Sequence, residues 1–167
     1  MKYVYELQFK VRDYECDLEG IVNNANYQHY MEHARHEFML SAGLSFADMY
    51  AQGITPVVAR VNISYKVPLR SRDEFVCRLA VRKEGVRYVF YQDLFRLPDM
   101  KLVARGRVDT VCLVNGRLQE CTELESAMEL CGRSKSTYDN PHLTVWADYT
   151  RDLFSRIRGK YQRNEKN

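Results

Sequence analysis

The chain opens on an alternation. Tyr3, Tyr5, Leu7, Phe9 and Val11 are separated by Lys2, Glu6, Gln8 and Lys10, broken only by Val4, so one face of an extended strand is apolar and the other polar. The period then changes. From Asn24 to Ala42, the residues Tyr27, Tyr30, Met31, Ala34, Phe38 and either Ser41 or Ala42 recur at three and four positions, which gathers them on one side of a helix. Gly43 stands where a C-terminal cap belongs, and a short second helix is expected from Phe46 to Ala51. Beyond Gly53 the period returns to two. Val57, Ala59, Val61, Ile63, Tyr65 and Val67 oppose Val58, Arg60, Asn62, Ser64 and Lys66, and Phe75, Cys77, Leu79 and Val81 oppose Arg78 and Arg82. A turn at Glu84-Gly85 leads into Arg87 to Leu97, Pro98-Asp99 makes the next turn, and Leu102 to Val114 closes on the hairpin signal Asn115-Gly116. One strand, one long helix and then four strands predict an α+β fold, an antiparallel sheet with the helix laid across it.

A polar, turn-rich stretch from Gly132 to Pro141 reads as a linker, and beyond it Trp146, Tyr149, Leu153, Ile157 and Tyr161 share one helical face. The division expected is a domain over residues 1–131 and a linker with a basic amphipathic helical tail over 132–167. Charge sharpens that division. Arg151 to Asn167 carries six basic and two acidic residues, a local +4, so with a net charge of +3 the remainder stands at −1. The sequence pI of about 8.6 therefore belongs to the tail, and the body has no general attraction for nucleic acid or other polyanions. The tail stripe is expected to pack on its own domain or on a neighbouring subunit; docking on RNA or on an anionic membrane is the alternative.

With 46% hydrophobic residues, the 167-residue chain can bury a core without disulfides or a structural metal. The five cysteines are odd in number, irregularly spaced and without a C-x-x-C pair. Reduced thiols in a cytoplasm are the expectation, as no signal-like or membrane-length apolar stretch occurs.

The candidate chemistry lies between the first strand and the long helix, in Asp17-Leu-Glu-Gly-Ile-Val-Asn-Asn-Ala-Asn-Tyr27. Gly20 permits a tight turn, Asn23 or Asn24 can cap the helix, and Asp17 lies in a loop that must fold back over the helix start. Unpaired N-H groups there can hold a developing oxyanion, and a carboxylate beside them can act as nucleophile or as general base toward water. On position alone, a carboxylate in this place is equally readable as a cap or loop residue.

The run D-L-E-G-I-V-N-N-A-N-Y-Q-H-Y-M-E-H-A-R, Asp17 to Arg35, resembles the signature of hot-dog acyl-CoA thioesterases of the 4-hydroxybenzoyl-CoA thioesterase type, and is also similar to acyl-carrier-protein thioesterases. The resemblance continues through Ile63 to Arg70 and Asp73-Glu74 and reaches about Glu129. It implies a five-stranded antiparallel sheet wrapped around one long helix, with dimers joined edge to edge that often pair into tetramers, and active sites at the dimer interface. Carried over, Asp17 is the catalytic carboxylate and the N-H of Asn24 polarises the thioester carbonyl. Gly20, Val22 and Tyr27 belong to the substrate-binding segment, with Tyr27 and Glu32 holding loop and helix. Lys66, Arg70 and Arg72 are candidates for coenzyme A phosphates or form a solvated turn. The implied substrate is an acyl-CoA or an acyl carrier protein, with no cofactor and no metal. A non-catalytic acyl-CoA-binding module is the reading from another class.

Position 21 is Ile where many relatives carry His, so a scheme needing an imidazole there cannot operate. Val22 stands fifth after Asp17, where hot-dog hydratases place a His, which argues against water addition to a double bond. His29-Tyr-Met-Glu32-His33 fits the H-x-x-E-H zinc motif, but its neighbouring tyrosines fall on the core stripe and no convincing acidic third ligand follows, so surface histidines are expected. Gly43-Leu-Ser45-Phe-Ala47 lacks the second glycine of a nucleophile elbow and follows a helix, so a serine hydrolase is rejected.

Overall fold

Alternating apolar residues can be buried only if the strands share a sheet and something covers one face. The computed structural model describes residues 2–133, so the expected linker and the tail stripe from Trp146 to Tyr161 lie outside the described residues. The elements run β1 (Tyr5–Lys10), α1 (Asn24–Ser41), α2 (Phe46–Ala51), β2 (Ile54–Tyr65), β3 (Glu74–Glu84), β4 (Arg87–Arg96), β5 (Lys101–Val114), β6 (Arg117–Gln119) and α3 (Thr122–Arg133). The sheet is antiparallel in the order β1-β3-β4-β5-β2, and β6 pairs with the end of β5. This is the hot-dog arrangement, a curled sheet around one long helix.

Two features exceed the expectation of five strands and a single long helix. After Asn115-Gly116 the chain turns back as β6, a three-residue strand along Cys112 to Val114, beyond the point where β4 begins opposite Val111. The twelve-residue helix α3 then follows, with Leu124 and Ala127 buried.

The predicted stripe of α1 is the buried one. Tyr27, Tyr30, Met31, Ala34 and Phe38 are all inside, joined by Arg35 and Met39. Tyr30 meets the Phe75 ring at 4.9 Å, and Phe38 packs edge-on against Tyr5 at 5.8 Å. The helix approaches β5 at Gly106, where a Cβ would stand 2.4 Å from the Met31 sulfur, so any side chain here must displace the end of Met31. Gly43, at φ 81°, ends α1 as expected, and the Leu44 N-H closes the turn on Met39 O at 2.9 Å. Ser45 caps α2, accepting from the Asp48 N-H at 3.3 Å, which gives this serine a structural duty between two helices.

α1 packs chiefly against β1 and β3, α2 packs against β2, and β2 is the free edge strand of the sheet. Along β2, Val57, Val58 and Tyr65 are exposed, an unusual surface for an edge strand of twelve residues.

Candidate active site

The loop between β1 and α1 is held from several directions. Cys16 and Val22 form an antiparallel bridge, so Asp17 to Ile21 is the turn of a very small hairpin. The Asp17 N-H donates to Ile21 O at 2.8 Å and the Gly20 N-H to Asp17 O at 3.0 Å, with Gly20 at φ 72°. A Cβ on Gly20 would meet nothing within 4 Å, so its backbone angle is what requires glycine. The Asp17 carboxylate accepts at Oδ1 from the N-H groups of Glu19 at 3.0 Å and Ile21 at 3.4 Å. Its Oδ2 accepts from none of the described residues, and the side chain is half-buried.

The start of α1 is capped selectively. Asn23 Oδ1 accepts from the Ala25 N-H at 3.0 Å, and its carbonyl accepts from the Asn26 N-H at 2.9 Å. The N-H of Asn24 has no acceptor among the described residues, and Asn24 is exposed. One donor at the positive end of an eighteen-residue helix thus stays open while its two successors are satisfied. On the other side of this residue, the Tyr65 hydroxyl donates to Asn24 O at 3.2 Å.

Several residues that build this arrangement were not singled out from the sequence. Glu15 is buried, and its Oε2 accepts from the Tyr30 hydroxyl at 2.8 Å and from the Arg12 N-H at 2.7 Å. Its carbonyl accepts from the Asn23 N-H at 2.9 Å and the Asn26 side-chain amide at 2.7 Å. Glu15 therefore ties the Asp17 turn to the first two turns of the helix. Burial, and then the bond to Glu15, raises the Tyr30 pKa, which keeps the phenol a donor. Burial likewise raises the Cys16 thiol, so the cysteine next to Asp17 is held protonated and is a poor nucleophile.

Val22 and Tyr27 sit in the core rather than on an open wall. The Val22 N-H donates to Leu69 O at 2.8 Å, and the Tyr27 hydroxyl accepts from the Leu69 N-H at 3.1 Å. Together they clamp the β2-β3 connection onto the loop. That connection carries the basic residues: Lys66, Arg70 and Arg72 are exposed, and none makes an ion pair among the described residues. It is fastened further by Val11 N-H to Asp73 O at 2.9 Å, by Arg72 N-H to Val11 O at 3.1 Å and by Ser71 to the Asp13 carboxylate. The fold therefore brings the basic turn against the Asp17 loop. It does not bring together a metal site: His29, Glu32 and His33 are exposed, and no three metal-binding side chains converge among the described residues.

Residues 11–129 match the thioesterase-like superfamily. The chain belongs to that family. Its similarity to the chloroplastic acyl-acyl carrier protein thioesterase ATL2 of Arabidopsis thaliana is 37% identity over 112 residues, covering 66% of this chain and 60% of that protein. It is 29% identical over 124 residues to the long-chain acyl-CoA thioesterase FadM of Escherichia coli, 74% of this chain and 92% of the other. The 1,4-dihydroxy-2-naphthoyl-CoA thioesterase Slr0204 of Synechocystis superposes with a TM-score of 0.70 at 16% identity, covering 74% of this chain and 94% of its own, a likeness of fold. The chain spans about three fifths of the length of its plant relatives. In this thioesterase-like domain the open Asn24 N-H and the Asp17 turn occupy the head of the central helix.

Proposed function

We propose that this domain hydrolyses an acyl thioester to a carboxylic acid and a free thiol, using Asp17 as the reacting carboxylate and the Asn24 N-H as the oxyanion donor. The observation that supports this most is the selective capping of α1, which leaves the Asn24 N-H open beside the loop holding Asp17. A donor fixed before the reaction stabilises charge on the thioester oxygen without reorganising, and the helix adds its own positive end. Asp17 attacks the carbonyl or takes a proton from water. In either case its carboxylate is held by the Glu19 and Ile21 N-H bonds at Oδ1, which leave Oδ2 without a partner among the described residues. The thiolate leaves readily, so the scheme needs no metal and no redox cofactor. Gly20, Val22 and Tyr27 serve by holding the turn and the helix start, rather than by touching substrate.

Lys66, Arg70 and Arg72 offer unpaired cations next to the site, suited to the phosphate groups that coenzyme A and a carrier-protein arm share. The similarity to ATL2 favours a carrier protein and that to FadM a coenzyme A ester, so both are tested together. Thiol release from matched acyl-CoA and acyl-carrier-protein panels should show turnover in at least one series. Absence of turnover in both, with acyl-CoA still bound, would make the domain a binding module.

The exposed β2 edge supports a homodimer joined strand to strand, with tetramers as pairs of dimers. Because Tyr65, at the end of that edge, touches Asn24, a partner strand there would border the catalytic head of α1.

A further inference from the structure

Tyr65 is the last residue of β2, held opposite Ala104 of β5, and the next N-H, that of Lys66, donates to Val103 O at 2.8 Å. Its ring stands edge-on to Tyr27, with centroids 5.3 Å apart, and Tyr27 is buried with its own hydroxyl fixed by the Leu69 N-H. Backbone and ring are therefore both braced. Tyr65 is nevertheless 49% exposed, and its hydroxyl reaches the head of α1, donating to Asn24 O at 3.2 Å.

That bond decides what the phenol has left to offer. A carbonyl cannot donate, so the Tyr65 proton is committed to Asn24 O and only the lone pairs of Oη remain. None of the described residues donates to them. Asn24 thus carries the open N-H on one side and fixes a free acceptor on the other. In a helical residue the nitrogen and the carbonyl oxygen lie roughly 3.5 Å apart, which places Tyr65 Oη within about 7 Å of the open nitrogen.

The spacing has a chemical counterpart on the thiol side of the substrate. In a thioester of coenzyme A, or of the phosphopantetheine arm of a carrier protein, sulfur and two methylenes separate the carbonyl from an amide N-H, a span of roughly 4–6 Å. With the thioester oxygen on the Asn24 N-H, this amide is within hydrogen-bonding reach of Oη. An amide taken out of water needs such an acceptor. Lys66, the first cation of the β2-β3 turn, follows Tyr65 directly, so acceptor and cations succeed one another in the order of amide and phosphate along the arm. We propose that Tyr65 determines specificity for the carrier arm, its Oη accepting a hydrogen bond from the amide N-H nearest the sulfur. This rests on the thioesterase reading of the Asn24 site and adds to it what the domain recognises beyond the acyl group.

The test exchanges one atom of the substrate. The same acyl group is presented on coenzyme A and on a carrier protein, once with the natural arm and once with the nitrogen nearest the sulfur replaced by oxygen. On the carrier that it turns over, wild type should lose about tenfold in kcat/KM with the exchanged arm, because the bond is lost and two acceptor oxygens are set against each other. Tyr65→Phe keeps the ring on Tyr27 and removes the acceptor, so it should lose a similar factor on the natural arm and treat the two arms within about twofold of each other. A phenol that serves only to hold Asn24 O would depress both arms equally in the variant and leave their ratio unmoved, and that result overturns the assignment. Equal treatment of the two arms by wild type also overturns it, with no variant needed. Calorimetry with the uncleavable 2-oxoalkyl thioethers of both arms reads the same preference as affinity. Preference in binding without turnover of any thioester would sink the hydrolase reading and leave this one standing. Turnover without preference would do the reverse.

Discussion

At the scale of single residues, the site is held by groups whose value lies in what they fix. Glu15 is the clearest case, since its carboxylate satisfies a buried phenol and a backbone N-H while its carbonyl receives two donors from the helix start. Glu15→Ala should cost about 1–3 kcal/mol by leaving Tyr30 and Arg12 N-H unpaired, measured by chemical unfolding, and should lower kcat more than it raises KM. A variant as stable and as active as wild type would show that the loop needs no such anchor. Asp93 gives a pH test. Its burial would raise its pKa, but the paired bonds from Arg105 at 2.8 Å each and the Tyr3 hydroxyl at 2.7 Å outweigh this and lower it. A carboxylate with a lowered folded pKa contributes stability that is complete above its ordinary value of 3.8 and is lost as pH falls through the folded value. Asp93→Asn should therefore be less stable than wild type at neutral pH, with the gap closing below about pH 4. A gap constant with pH would contradict this. The candidates Asp17 and Asn24 could be proposed from the sequence because they stand in an ordered motif. Glu15 could not, because its partner Tyr30 lies fifteen positions on and only the folded loop brings them together.

At the scale of elements, periodicity carries most of the structure. The long helix begins at Asn24 as expected, and β4 begins at Arg87. The short pieces were less legible: three residues of β6 are too few to show a period, and α3 owes its burial to Leu124 and Ala127 meeting a neighbour that no local pattern names. Nor does a pattern of apolar residues explain Arg35 on the buried side of α1, which depends on Gln92 from β4. The closeness of α1 to β5 is testable. Gly106→Ala should destabilise by about 1–3 kcal/mol, because Met31 is fully buried and has little room to yield. The cost should fall when Met31 is shortened to Ala, so that the double variant is less destabilised than the two single effects added. Simple additivity, measured by unfolding, would mean that the contact is not what requires glycine.

At the scale of the whole molecule, the asymmetry of the sheet matters most. One edge of the sheet is β1, and the other is β2, whose exposed Val57, Val58 and Tyr65 suit a second copy better than water. Sedimentation should therefore report at least twice the 19.7 kDa of one chain, and a monomer at micromolar concentration would contradict the edge-to-edge assembly. Neither the sequence nor a single chain displays a partner, so an assembly of this kind could not be read from the motif. The central claim is that a carboxylate and an open helix N-H suffice to cleave a thioester, and it is tested most directly by thiol release from the best wild-type substrate with Asp17→Asn, a change that keeps shape and removes basicity. A properly folded variant should lose about 10²–10⁴-fold in kcat/KM. Undiminished turnover by that variant would contradict the account.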